Sequence, residues 1–164
     1  MNADTCVDAM KCRCGSGLLG FATTADDLSR FSSQLVNQPK WFERPEAKDY
    51  VAARTYLSLV ASDDVAKTIA RKLKRASSLG VVKYRANDIL RSSRLMYNEW
   101  DSIMVQNDMQ KIKQGIKLSP VLLVTIKDAF ETPLIIADGF HRVLTCHTVD
   151  PKYEVPCVHV VVKL

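Results

Sequence analysis

No apolar run in this chain approaches the roughly 18 residues that a helical membrane span needs, which leaves no place for a bilayer crossing. Residues Met1–Ala22 contain Lys11 and Arg13 but lack an uninterrupted apolar segment ahead of a small-residue cleavage site. The stretch Leu18-Leu19-Gly20-Phe21-Ala22 is too short for that role, so the chain is expected to be cytoplasmic. Paired C-x2-C spacing is also missing. Cys6, Cys12 and Cys14 form a C-x5-C-x-C cluster unlike common zinc sites, and no metal centre is expected from it. In a reducing compartment Cys146 and Cys157 stay thiols, and in these positions they suit small buried apolar residues. Internal repeats and low-complexity tracts are likewise absent, which excludes solenoid architectures.

What is present is the composition of an ordinary globule. Of the 164 residues, 47% are hydrophobic and 25% charged, enough to bury a core without a disulfide or metal staple. The length suits one domain with room for a small helical subdomain. A net charge of +5 fits an anionic ligand or nucleic acid without demanding either.

Taken in order, residues 1–22 lack period and caps and are expected to be poorly ordered. Residues 23–79 form a helical segment. Leu28, Phe31 and Leu35 recur at helical spacing after Asp26-Asp27, and Gln38-Pro39 ends that pattern. Trp41–Pro45 is an aromatic corner, and a second helix begins near Pro45 with a stripe of Tyr50, Ala53, Tyr56, Leu57 and Val60. Ser62-Asp63-Asp64 caps a third, Val65–Ala76, whose apolar positions leave Lys67, Arg71, Lys72, Lys74 and Arg75 around the other face. Five cations there suit a nucleic-acid stripe, but a solvated helix face explains them more simply, and no aromatic residue interleaves them for base stacking. Three short amphipathic helices bury little alone and are expected to pack on the domain that follows.

Beyond Gly80 the pattern changes, and residues 80–164 read as a mixed domain. A strand is expected over Val81–Ala86, then a helix Ile89–Arg94 capped by Asn87-Asp88. Met96–Met104 has no clear period and reads as loop, and a helix follows from Asn107-Asp108 through Lys113. Strands Val121–Ile126, Pro133–Ala137 and Val155–Val162 flank a helix from Phe140. The β-α-α-β-β-α-β order points to an α+β fold, a small mixed sheet with helices on one side, preceded by the helical segment.

Within that frame the segment Pro133–Val149 carries the chemistry. A short apolar strand runs into Asp138-Gly139, and a helix starts at Phe140. The first N–H groups of a helix lack internal acceptors, and its dipole favours an anion there. His141 and Arg142 stand at that spot, and both can donate to a phosphate. If the two preceding strands pair as a hairpin, Lys117 and Ser119 arrive beside them. Gly139 would let the backbone approach the ligand closely.

Asp138-Gly139-Phe140-His141-Arg142 resembles the DGxHR signature of the ParB/sulfiredoxin-like superfamily. Leu118–Val124 resembles that superfamily's polar-Pro-apolar strand, and Val155–Val160 its last strand, so the resemblance covers Val81–Lys163, about half the chain. It implies a nucleotide-binding fold that takes ATP, ADP or CTP, with Mg2+ as a companion, through Lys117, Ser119, Gly139, His141 and Arg142. Sulfiredoxins carry their reactive cysteine between the Gly and the His. Here that residue is Phe140, which sets sulfiredoxin chemistry aside. Serine-kinase-like members imply that Asp138 or Glu99 acts as a base on a hydroxyl, in a phosphotransferase or nucleotide hydrolase. An Asp before Gly also ties a turn with no catalytic role. The alternatives are a DNA- or RNA-binding module or ParB-like nuclease, and a non-catalytic interaction protein keeping the fold.

Overall fold

The computed structural model describes residues 38–95, 103–127 and 133–163. In chain order these are α1 (Ala47–Val60), α2 (Asp63–Ala76), a 3-10 turn, β1 (Val82–Arg85), α3 (Ala86–Ser93), α4 (Ile103–Lys113), β2 (Val121–Ile126), β3 (Ile135–Asp138), α5 (Phe140–Val149) and β4 (Glu154–Val162). The expectations for residues 1–37, including the first helix and the Cys6–Cys14 cluster, lie outside the described residues, as does Glu99.

The four strands form one mixed sheet in the order β1-β4-β2-β3. β4 runs parallel to β2, while β1 and β3 pair antiparallel at the edges. The two central strands are covered on both faces, which is why Val121-Leu122-Leu123-Val124 and most of Val155–Val162 read as near-continuous apolar runs. Successive residues of β2 then divide between two cores. Val121 and Leu123 pack with Ile89, Leu90, Met109, Val143 and Leu144, whereas Leu122 and Val124 pack with Leu57, Ile69 and Leu73.

Thus α3, α4 and α5 cover one face, as expected, and α1 and α2 cover the other, so that helices lie on both sides of the sheet rather than on one. The stripe along α2 explains this. Ala66, Ile69 and Leu73 are buried while Arg71, Lys72, Lys74 and Arg75 remain outside. Leu79-Gly80 therefore does not separate two cores. The aromatic corner packs too. Phe42 N–H donates to the Leu118 carbonyl at 2.8 Å, and Trp41 Nε1 donates to the Tyr153 hydroxyl at 2.9 Å.

Two helix boundaries differ from the sequence expectation. α3 starts at Ala86, so Asn87-Asp88 lies inside its first turn rather than before it. α4 starts at Ile103, inside the stretch expected as loop, and Asn107-Asp108 sits mid-helix. Its buried positions Val105, Met109 and Ile112 fall at i, i+4 and i+7, and that tertiary stripe outweighs the turn preference of Asn-Asp. Among the described residues no helix is long and apolar enough to cross a membrane.

Candidate functional site

β2 and β3 do pair as neighbours, with Leu122 opposite Asp138. The start of β2 therefore lies beside the end of β3, where α5 begins. A cleft of about 440 Å³ opens there, and Lys117, Ser119, Asp138, Gly139, His141 and Arg142 all line it. The six residues singled out in the sequence are brought together. Four that were not, Glu46, Lys48 and Asp49 from the start of α1 and Asp108 from α4, complete the walls with Lys111.

At the centre is Arg142. One guanidinium nitrogen donates to Asp138 Oδ2 and lies 3.5 Å from Asp49 Oδ1. The other donates to the Ser119 carbonyl at 2.6 Å. Its side chain is only 12% exposed, so these partners hold it inside the wall of the cleft rather than across its mouth. Burial pushes the Asp138 carboxyl above its ordinary range; Arg142 opposes that shift and the nearby Asp49 adds to it. Two carboxylates sharing one guanidinium resist carrying both negative charges in a poorly solvated place.

Ser119 is also committed. Its hydroxyl donates to Asp49 Oδ2 and accepts from the Glu46 N–H at 3.1 Å, and the same N–H donates to Asp49 Oδ2 at 2.7 Å. Asp49 thus closes the first turn of α1 and ties it to the loop before β2. That bond network, rather than a ligand, accounts for the burial of both side chains. The sequence hides this role because Asp49 lies 70 residues from Ser119. An acidic residue three places after Glu46 was the one available hint.

Gly139 precedes α5 with φ +95°. A Cβ there would stand 3.0 Å from Val121 Cγ2 and 3.1 Å from Arg142 Nε. The glycine is required by the left-handed backbone and by the Arg142 side chain folding back over it, and the space saved is filled by protein. No side chain caps α5. His141 is half-buried and meets the Phe140 ring edge to face at 5.5 Å, while Lys117 is exposed with its ammonium 5.9 Å from the Phe42 ring centre. Lys111 pairs with Asp108 at 2.7 Å and Lys48 with Glu46 at 2.8 Å.

The two described cysteines take no part. Both are buried, and burial raises both thiols, Cys157 up to about 12, so neither is a nucleophile at neutral pH. Among the described residues no cluster of His, Cys, Asp and Glu has the make-up of a metal site. Comparison with known proteins finds no family model, no curated protein and no solved structure that matches this chain.

Proposed function

We propose that the chain is a ParB/sulfiredoxin-like domain extended by α1 and α2, and that its cleft binds the phosphate of a nucleotide. The observation that carries this reading is the cleft of about 440 Å³ opening on the uncapped first turn of α5, with His141 and Lys117 on its walls. Helix N–H groups, a ring N–H and an ammonium group there suit a phosphate oxygen shell. The element order β-α-α-β-β-α-β and the DGFHR turn between β3 and α5 support the fold assignment.

Arg142 enters this reading differently from a free phosphate fork. A phosphate that reaches it competes with Asp138 and Asp49 for the guanidinium. Each bond it gains on Arg142 loosens one to Asp138, and a carboxylate raised by burial then becomes available to accept a proton from a hydroxyl or a water. That exchange couples nucleotide arrival to a base and fits phosphotransfer or nucleotide hydrolysis. Mg2+ would ride on the phosphates with one or two carboxylates and several waters, which does not demand a dedicated protein cage.

Calorimetry of the whole chain against ATP, ADP, CTP and GTP, each with and without magnesium, tests the reading. At least one should bind. His141→Ala and Lys117→Ala should each weaken it about tenfold while leaving the thermal midpoint in place, because neither side chain holds the fold together. Silence from every titration ends the nucleotide assignment.

A further inference from the structure

A second recess lies elsewhere, between α1 and α2. It measures about 480 Å³ and is lined by Tyr50 and Arg54 from α1 and by Lys67, Ala70, Arg71 and Lys74 from α2. Lys67, Arg71 and Lys74 fall at i, i+4 and i+7, so their stripe follows the recess for about 10 Å at 1.5 Å per residue. Arg54 and Lys67 share one carboxylate, Asp63, at 3.0 and 2.7 Å, with Asp64 a further 3.9 Å from Lys67. Among the described residues no carboxylate forms an ion pair with Arg71 or Lys74. Arg71 donates to the Thr68 hydroxyl at 3.2 Å. Lys72 and Arg75, also exposed on α2, extend the positive field.

Tyr50 is the decisive neighbour. It is half-buried, packs against the core beneath α1 and α2, and also lines the recess. The cations of α2 lack an interleaved aromatic in sequence, yet the fold supplies one from α1.

We propose that this recess binds single-stranded nucleic acid, with backbone phosphates on Lys67, Arg71 and Lys74 and a base stacked on Tyr50. A cationic groove with an aromatic platform is the arrangement that recognises a strand without regard to sequence. A duplex is read by convex elements entering its major groove, whereas this surface is concave. An acidic peptide would neutralise the cations but leave Tyr50 without a π-faced partner. A lipid surface would engage exposed apolar side chains, and the large ones on α1, Val51, Tyr56, Leu59 and Val60, do not line the recess.

Fluorescence anisotropy with the full chain tests this, using labelled mixed-sequence single-stranded DNA and RNA across a salt series. The comparison probes are the same DNA as a duplex, polyglutamate, and phosphatidylserine vesicles. Single strands should bind best. Arg71→Glu with Lys74→Glu should lower affinity at least tenfold and flatten the plot of log affinity against log salt by about 1.4, since each phosphate contact on a single strand contributes about 0.7. Tyr50→Leu should lower affinity about tenfold, and Tyr50→Phe should retain it. Because Tyr50 also packs on the core, a thermal melt accompanies both, and the charge-reversal pair decides alone if Tyr50→Leu melts early. Duplex, polyglutamate or vesicles binding as tightly as single strands, or a salt slope indifferent to the charge reversal, would overturn the proposal. So would failure of all single strands to bind.

Discussion

The cleft at α5 and the groove between α1 and α2 are both rich in cations, and they use them in opposite ways. In the cleft, Arg142 answers Asp138 and Asp49, Lys111 answers Asp108, and Lys48 answers Glu46. In the groove, Arg54 and Lys67 divide the exposed Asp63, Arg71 donates to Thr68, and among the described residues no carboxylate pairs with Arg71 or Lys74. The cleft's central pair is mostly buried, 12% and 19% exposed, and the groove's is exposed. Charges withdrawn from water must be matched inside the protein, whereas charges left in water are cheap to hold and free to meet a partner. Arg142, the mostly buried cation of the cleft, therefore bears first on stability, whereas the exposed cations of the groove contribute little to it.

Arg142→Ala should expose this contrast most strongly. It leaves Asp138 and Asp49 facing each other with no cation between them. Breaking a buried pair in that way costs about 3–5 kcal/mol, to be read from urea or guanidinium midpoints. A loss below about 1 kcal/mol, comparable to a surface pair, would mean that the network is solvated and that the contrast with the groove is false.

Gly139→Ala comes next. The left-handed backbone costs a side chain about 1–2 kcal/mol, and the Cβ contacts with Val121 and Arg142 add to it. The same denaturation series reads this loss, which should be smaller than that of Arg142→Ala. An unchanged midpoint would show that the turn relaxes freely.

Titration sharpens the comparison further, because each region holds a carboxylate shifted in its own direction. Asp63 is lowered from its ordinary 3.8, first by the hydrogen bond from Lys67 and then by that from Arg54. Asp138 is raised from the same value by burial. A lowered carboxyl contributes stability that is present above its unfolded pKa and lost as pH falls through its folded one. A raised carboxyl does the reverse, its contribution being full below the unfolded pKa and lost as pH rises through the folded one. Carbon-13 titration of the aspartate carboxyls should place Asp138 above 3.8 and Asp63 below it. Finding the two in the opposite order would break the comparison.

The smallest effect is expected in the groove. Arg71→Ala and Lys74→Ala should each move stability by no more than about 0.5 kcal/mol. A larger loss would show that these side chains support the fold and are not free for a ligand.

Much of the architecture was legible in the chain. The apolar strands β2 and β4 and the one-sided burial of α2, with a cationic face opposite Ile69 and Leu73, were read correctly, whereas the covering of both sheet faces was not. The pairing of β2 with β3, which gathers Lys117, Ser119 and the DGFHR turn around one cleft, followed from two apolar strands joined by a charged connection. The start of α4 was not legible, since Asn107-Asp108 has the local chemistry of a cap and only the packing of Val105 and Met109 overrules it. Glu46 and Asp49 escaped because a carboxylate on a helix carries no mark of what it will face.

The sequence alone determined where apolar side chains must go, because hydrophobic burial depends on periodicity, a property of neighbours along the chain. It determined the glycine turn before α5 and the donors beside it. The tertiary structure alone decided which charges are spent and which are free. Asp49 reaches Arg142 across 93 residues, and Tyr50 joins cations on another helix, through contacts that no local pattern encodes. Electrostatic pairing acts over ångströms in space and is indifferent to distance along the chain, so only the folded arrangement sets it.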